Sequence, residues 1–455
     1  MTIAAELARF VTSTAAGDLP ALALERAKMS LASTVASAAM GFNIPSTQFI
    51  RSIEKENGGS RQATIWFDGG KLPVAGAARL NAVASDAAAS DDSDLRSIAH
   101  IGTIVSAASI AMAEKWGRSG RDVLCAMVLG YEVAGRIDEA LTPGRMQRGF
   151  HGSVSTVFGA AVATGKLLEL SASQMTHAIA LAATSIGGLA IAADTSCARE
   201  YHAGLSAMLG THAALAASRG YTSEENSLEA PRGFFQALGG QAIEEVTAGL
   251  GDSWDIVTDM AIKLMPGGHP FHAIAEAALN AAIAGNVDPG EVEKITISAV
   301  QMRDWRSKSH PGNLIDAAHS VVYFVAAAVA DRRFDWEHVT KAKMTDPVIA
   351  ALQDKVVFDP NPAPLPDRFT HHHGGTVTIK TRSGASFTNT CKAPRGSGPR
   401  GIEWGDVDGK YRRLVALSSL ETSRVDASLE MIHGFEKLGA MAEFTDLLQV
   451  AGASA

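Results

Sequence analysis

Histidines at the predicted starts of helices are the residues of this chain best suited to moving protons. His100 follows the polar run Asp91-Asp92-Ser93 and precedes an apolar helical segment, and His151 precedes an Ala- and Val-rich one. A histidine at a helix start feels the positive end of the helix dipole, which lowers its pKa and favours the neutral base. Taken alone, each fits a hydrogen-bonding residue at a helix end better than a catalyst.

Cationic and phenolic side chains recur at helix edges further along the chain. They are Arg199 and His202 at the entry to a helix, Lys263 and His269 and His272 around Pro266-Gly267-Gly268, and Tyr323, which lies four residues after His319. Side chains of these types bind carboxylates and exchange protons. The ordinary interpretation of Arg199 and its neighbours is a solvated helix end, and that of Lys263 is a surface charge. For Tyr323 it is a side chain packed in the core with its hydroxyl hydrogen-bonded.

Common nucleotide, hydrolase and metal motifs do not occur in the sequence. Gly159–Leu167 resembles a P-loop but has the wrong spacing between its glycines, and Gly187-Gly188 lacks the dinucleotide-binding pattern. Neither a G-x-S-x-G nor an H-E-x-x-H motif is present. His371-His372-His373 are consecutive, so in an extended chain they point to opposite faces and cannot easily share one ion. We therefore expect neither a nucleotide cofactor nor a metal.

Composition limits the class of protein. The 455 residues carry a formal net charge of −8, which argues against nucleic-acid binding, and 46% of them are hydrophobic. Three cysteines without a C-x-x-C pair predict neither a disulfide framework nor a zinc site. The uncharged stretch 178–193 is too short for a membrane span, and no signal-peptide pattern precedes the first helix. We expect a cytoplasmic protein of two or three domains.

The elements that must position these residues are mostly helices. Ala-rich segments with helical spacing, separated by Gly or Pro, occur at 74–90, 101–116, 119–140, 152–169, 172–193, 202–219 and 231–249. Ser171 and Gln174 have the spacing of a capping box at one of these starts. This spacing therefore predicts that the first 260 or so residues form an all-helical domain.

The pattern changes after Pro266. A helix is predicted at 272–286, a strand at 292–300, helices at 314–331 and 346–354, and a hairpin of 376–381 with a strand through Phe387. Helical spacing then returns at 411–423 and 428–450. We predict a mainly α protein in which a large helical domain, residues 1–265 and 395–455, carries an inserted smaller α+β lid domain, residues 266–394.

The order of these motifs resembles that of the MmgE/PrpD family. The matching segments are Asp91-Asp92-Ser93, Gly149-Phe150-His151-Gly152, Arg199-x-x-His202-Ala203-Gly204, Lys263-x-x-Pro266 with His272, and His319-Ser320-x-x-Tyr323. The resemblance implies the helical fold and lid of that family, a cleft between them, a homodimer and no cofactor. Reactions in the family include dehydration of 2-methylcitrate, decarboxylation of cis-aconitate and epimerisation of iminodisuccinate, all on small polycarboxylates.

The resemblance also implies the site residues. His151, Lys263, Tyr323 and His100 are the expected catalytic residues. Asp92, Ser93, Arg199, His202, His269 and His272 are the expected substrate-binding residues. No metal ligand is expected.

Three departures from the family pattern bear on the reaction. Ala89 stands where dehydratases and decarboxylases of the family commonly have an acid, Arg199 replaces a typical lysine, and Gly267-Gly268-His269 replaces a Cys-containing stretch. Arginine cannot shuttle protons near neutral pH. We therefore expect an iminodisuccinate epimerase, with His151 and either Lys263 or Tyr323 exchanging a proton on opposite faces of the carbon. A dehydratase or decarboxylase is the alternative.

Overall fold

In a computed structural model of the chain, the residues described are 1–185, 187–302, 309–365 and 373–450. The chain is 59% helical with only small sheets, which confirms a mainly α fold with a smaller α+β part. It divides into two compact units, unit 1 being Met1–Ile262 with Glu403–Ala455 and unit 2 being Lys263–Ile402. The sequence predicts these breaks after 265 and after 394, whereas the structure assigns Lys263 to unit 2.

Unit 1 is built from closely packed Ala-rich helices. In chain order they are α1 (Ile3–Ser13), α2 (Ala21–Gly41), α3 (Pro45–Asn57), α4 (Val74–Ala87), α5 (Ile101–Trp116), α6 (Gly120–Leu141), α7 (Gly144–Gln147), α8 (Ser153–Leu167), α9 (Ala172–Ala182), α10 (Ala190–Thr195), α11 (Ala198–Ala217), α12 (Phe234–Leu238) and α13 (Asp255–Thr258). Small side chains let these helices approach closely: a Cβ on Gly210 of α11 would lie 2.3 Å from the Val157 carbonyl oxygen of α8.

Residues after unit 2 return to unit 1 as further helices. In the sequence these were expected at 411–423 and 428–450, and the structure has α19 (Trp404–Val415), α20 (Thr422–His433) and α21 (Met441–Leu447). Among the described residues, every helix is too short or too polar to cross a lipid bilayer.

Short strands interrupt the helices of unit 1, which the sequence predicts to be all-helical. Two antiparallel pairs form, β1 (Ala63–Thr64) with β2 (Lys71–Leu72) and β3 (Asp92–Asp94) with β4 (Met260–Ile262). Ser93 pairs with Ala261 in the second of them. These strands are only two or three residues long, too short for a periodic pattern to reveal them. The β3–β4 pair fixes the acidic segment between α4 and α5.

Two predicted helices of unit 1 differ from the structure. The segment 172–193 is not one helix but α9 and α10, separated by a break in which Gly188 has a φ of +98°. Of the predicted helix 231–249 only α12 and a short 3-10 helix at Glu244–Val246 form, and α12 ends before Gly239, whose φ is +89°. Both predictions were too long because Ala-rich composition favours a helix on either side of glycines whose left-handed backbone ends it. The capping box of Ser171 and Gln174 is confirmed.

Unit 2 packs helices against a four-stranded sheet. Its elements are α14 (His272–Ala284), β5 (Val292–Ser298), α15 (Leu314–Ala318), α16 (Val321–Asp331), α17 (Lys341–Met344), α18 (Pro347–Gln353), β6 (Val356–Phe358), β7 (Gly375–Thr381) and β8 (Ser386–Cys391). The sheet order is β6-β5-β7-β8, with β5 and β6 parallel and the other pairs antiparallel. Alternate residues such as Ile295, Ile297 and Val377 enter its core.

The predicted helix 314–331 is interrupted in the structure. Ser320 caps the start of α16 by accepting a hydrogen bond from the Tyr323 backbone N–H, which separates α16 from α15. Strands β5, β7 and β8 lie where the sequence predicts strands, whereas β6 was not predicted. His371 and His372 lie outside the described residues.

Candidate active site

Unit 1 contains a buried imidazole that two carboxylates hold in place. His100, the residue before α5, places Nδ1 2.7 Å from Oδ1 of Asp86 and 2.8 Å from Oδ2 of Asp91. Asp86 lies in the last turn of α4, and Asp91 lies in the turn before β3. Because both partners are carboxylates, Nδ1 carries a proton and donates it. In a neutral imidazole, Nε2 is then the ring nitrogen that carries no proton.

Arg199 fixes this arrangement from the side of α11. It donates from Nε to Oδ2 of Asp86 at 2.9 Å and from Nη2 to the Asp86 backbone carbonyl at 2.6 Å. Burial alone would lower the pKa of Arg199, but the carboxylates of Asp86, Glu200 and Asp91 raise it above its ordinary value. The sequence predicts a substrate clamp at Arg199. In the structure its guanidinium is instead buried and forms an ion pair with Asp86, the carboxylate that also contacts His100.

Thr103 completes the network on the other side. Its hydroxyl lies on α5, one turn after His100, and donates to Oδ2 of Asp91 at 2.8 Å. Sequence reasoning did not identify Asp86 or Thr103 as functional. The available signal was a carboxylate within the otherwise Ala-rich segment 82–89, since a buried acid in a helix needs a partner.

Asp86, Asp91 and His100 could also offer ligands to a cation. One ligand atom each from Asp86, Asp91 and His100 lie within 4.8 Å of one another. However, the His100 contacts have the lengths of hydrogen bonds, and Asp86 is already neutralised by Arg199. We describe the cluster as a hydrogen-bonded network.

His151 lies beside this network. Its ring centroid is 6.2 Å from that of His100 and 6.0 Å from that of His202. Burial, followed by the charges of His100 and Arg145, lowers the pKa of His151 well below its ordinary value of 6.5. The sequence predicts this direction from the helix dipole, whereas the main cause in the structure is burial. His151 is therefore neutral near pH 7.

His202 faces His151 from α11, one turn after Arg199. Its Nδ1 atom is buried and has no hydrogen-bond partner among the described residues. Burial lowers its pKa, so it too is a neutral imidazole. A neutral ring with an unsatisfied nitrogen can bind a hydroxyl or carboxyl group, which keeps His202 a candidate for substrate binding.

Asp92 and Ser93 are placed differently from their expected role. Successive side chains of a strand point to opposite sides, so Asp92 turns away from the Asp91 side. Its Oδ2 accepts a hydrogen bond of 2.6 Å from Ser30 of α2, and a Cβ on Gly102 would lie 1.8 Å from that oxygen. Burial raises the pKa of Asp92 to about 6. Both residues are buried in unit 1, and their expected role in substrate binding stays a prediction.

The remaining expected site residues belong to unit 2. Lys263 is its first residue, His269 lies in a short 3-10 turn, and His272 begins α14. All three are buried, and the ring centroids of His269 and His272 are 4.6 Å apart. Unit 2 thus brings the two histidines together.

Tyr323 does not have the environment of a proton-transfer residue. It lies fully buried in the core of unit 2 and donates its hydroxyl to the His338 backbone carbonyl at 2.5 Å. Burial raises the pKa of this phenol above its ordinary value. This environment fits core packing, the ordinary interpretation of such a residue, and the catalytic role of Tyr323 stays a prediction.

The family and relatives of the chain agree with these motifs. Residues 5–246 match the model of the MmgE/PrpD N-terminal domain, and residues 265–436 match that of the MmgE/PrpD C-terminal domain. Similar curated proteins include a cis-aconitate decarboxylase of Aspergillus terreus, 27% identical, with 98% of this chain and 96% of the relative covered. A cis-aconitate decarboxylase-like protein of Aspergillus oryzae is 26% identical, covering 98% and 97%. The cis-aconitate decarboxylase of Homo sapiens is 24% identical, covering 95% and 92%.

Proposed function

Because the chain belongs to the MmgE/PrpD family, we propose that it is a lyase acting on a small tricarboxylic acid of the cis-aconitate type. The single observation that carries this proposal is the similarity to cis-aconitate decarboxylases along almost the full length of both chains. These relatives are about one quarter identical to the chain, so the proposal names a class of substrate, small polycarboxylates, and not one particular acid.

His100 is the proposed proton-transfer residue. Decarboxylation breaks a carbon–carbon bond, releases carbon dioxide and leaves the electron pair on the remaining carbon skeleton, where a proton must be added. Carboxylates that accept hydrogen bonds from an imidazole stabilise its protonated form and hold its orientation. His100 has two such partners, Asp86 and Asp91, and can deliver the proton from Nε2.

Binding a tricarboxylate to a protein of net charge −8 requires local positive charge. We propose His100 for this role in unit 1, with His151 and His202 as hydrogen-bonding partners of the substrate. The roles expected for Lys263, His269 and His272 from the sequence are kept as proposals. Arg199 acts through Asp86. We keep the other expectations as proposals as well: a homodimer, a cytoplasmic location and no partner nucleic acid.

Epimerisation of iminodisuccinate is the second candidate. It needs two groups that exchange a proton on opposite faces of one carbon. His100 and His151, two imidazoles with centroids 6.2 Å apart, are favourable for such an exchange. Arg199 and Ala89 also separate the chain from the pattern typical of the family's dehydratases and decarboxylases.

A substrate panel tests the proposal. Purified protein is incubated separately with cis-aconitate, 2-methylcitrate and R,S-iminodisuccinate, and the products are followed by proton NMR. We expect loss of carbon dioxide or water from one of the tricarboxylates. A change in the diastereomer ratio of iminodisuccinate with no new double bond would replace the lyase by the epimerase. No reaction with any of the three would contradict both.

A further inference from the structure

We infer that His151 serves the proposed reaction as a neutral hydrogen-bond donor, through Nε2–H, to an oxygen of the substrate on which negative charge develops. It is not the group that removes or returns the proton. This inference rests on the proposed function for its substrate, and on the geometry around Nδ1 for the role of the ring.

Within the part of the chain that the structure describes, two groups of Ser153 lie against Nδ1 of His151. The backbone N–H of Ser153 points at Nδ1 with an N···N distance of 3.3 Å, and the Ser153 hydroxyl oxygen lies 3.3 Å from the same atom. A backbone N–H can only donate. Nδ1 must therefore present its lone pair, and in a neutral imidazole the proton then resides on Nε2.

The start of α8 explains why this N–H is available. Ser153 is the first residue of the helix, where backbone N–H groups have no acceptor within the helix. The N-cap residue is Gly152, which has no side chain to accept from them. The His151 ring takes the place of a capping side chain. If Nδ1 carried a proton, the Ser153 backbone N–H and the Nδ1–H group would both be donors, and the N–H would lose its acceptor.

The loop of Gly187 and Gly188 holds the ring in this position. The His151 backbone N–H donates to the Gly188 carbonyl at 3.0 Å, and the Ser153 hydroxyl donates to the Gly187 carbonyl at 3.3 Å. A Cβ on Gly188 would lie 2.1 Å from Oγ of Ser153 and 3.2 Å from Nδ1 of His202. The absence of a side chain at 188 is what allows His151, Ser153 and His202 to pack together.

The neutral ring suits a donor role in this reaction. When carbon dioxide leaves, the electron pair delocalises towards a neighbouring carboxylate, and a donor aimed at that oxygen stabilises the charge as it forms. A neutral imidazole performs this task without losing its proton, in the manner known from other enzymes that lower a histidine pKa at a helix start. Burial and the charges of His100 and Arg145, which keep His151 neutral, agree with this role.

The tautomer can be measured without any substrate. The full-length protein is labelled with 15N-histidine, and the His151 signals are identified by their loss in His151→Gln. We expect protonated Nε2 and unprotonated, hydrogen-bonded Nδ1 at pH values around 6.5, the ordinary pKa of histidine. A proton on Nδ1, or titration at the ordinary pKa, overturns the inference. This result does not depend on which reaction the protein catalyses.

Kinetics test the role separately. Glutamine places an amide N–H close to the position of Nε2 but cannot transfer a proton, so His151→Gln should keep kcat within about tenfold of the wild type. His151→Ala, which has no donor, should lose about a hundredfold or more. Equal losses in both variants overturn the donor role. His310→Gln, at an exposed histidine of unit 2, is the matched control and should leave kcat unchanged.

Discussion

Arg199 binds Asp86 twice, through the Asp86 side chain at 2.9 Å and through the Asp86 backbone carbonyl at 2.6 Å. The other carboxylate oxygen of Asp86 accepts from His100. A guanidinium fork can make two such contacts at once, and an ammonium group cannot reproduce them. Arg199 is thus connected to the proposed reacting imidazole through a single carboxylate, although it was expected to contact the substrate itself.

Replacing Arg199 should lower both stability and turnover. Arg199→Met leaves the buried Asp86 carboxylate without its arginine, which typically costs about 3–5 kcal/mol of unfolding free energy. The double variant with Asp86→Leu should cost less than the sum of the two single changes. Urea unfolding measures the unfolding free energies of the single and double variants. The exposed pair of Arg333 and Glu337 provides the control, since Arg333→Met should cost less than about 1 kcal/mol.

Arg199→Lys tests the positioning role by kinetics. Because the charge is kept but the second contact is lost, we expect kcat to fall about tenfold or more while KM changes little. A residue that clamps the substrate would give the opposite result, a large rise in KM with kcat nearly unchanged.

Asp92 should make stability depend on pH. Its pKa is raised by burial from 3.8 to about 6, so the folded state holds a proton that the unfolded state has released. The unfolding free energy contributed by this group is therefore present at low pH and falls by about 3 kcal/mol as the pH rises from about 4 to above 6. Asp92→Asn cannot ionise and should lack this fall. Urea unfolding across the range compares the two, with exposed Asp426→Asn as control.

Parallel stability curves for wild type and Asp92→Asn would show that folding does not change the pKa of Asp92. That outcome would contradict the rise attributed to burial.

Adjacent glycines allow a matched test of the loop over His151. Gly188→Ala places a Cβ 2.1 Å from the Ser153 hydroxyl on a backbone with a φ of +98°, and should reduce kcat by about tenfold or more. A Cβ on Gly187 meets nothing within 4 Å, so Gly187→Ala should retain activity. Steady-state kinetics with the identified substrate compares the two. Similar activity in both variants would mean that the Gly188 contact does not position His151.

Tyr323→Phe separates packing from catalysis. Removing the hydroxyl leaves the buried His338 carbonyl without that donor, which should cost about 1–3 kcal/mol of unfolding free energy. We expect kcat to stay within about twofold, because the hydroxyl is engaged by the His338 carbonyl in the core of unit 2. A loss of activity with unchanged stability would restore the catalytic role expected from the sequence.

Much of this site could be predicted from local sequence. His100 and His151 stand out because each precedes a long apolar helix, and the helices α5 and α8 begin close to the predicted positions. Asp86 could not be connected to Arg199 in the same way, since the two lie 113 residues apart and meet only where α4 packs on α11. Gly188 was hidden inside a segment whose composition predicts one continuous helix.

Tyr323 shows the reverse case. Its place in an ordered set of motifs favoured a catalytic role, while its immediate neighbours, an apolar run on one helix, favoured packing, and the observed environment follows the neighbours. Side-chain orientation depends on the helix register against the rest of unit 2, which spacing along the chain does not determine.

The central claim is that His100 delivers a proton to the carbon skeleton of a polycarboxylate. The most direct measurement is proton NMR of cis-aconitate with the enzyme in deuterium oxide, comparing wild type with His100→Asn. The account predicts loss of carbon dioxide with one deuterium added to carbon by the wild type, and a rate at least a hundredfold lower in the variant. A wild-type rate in His100→Asn, or a wild-type enzyme that leaves cis-aconitate unchanged, would contradict it.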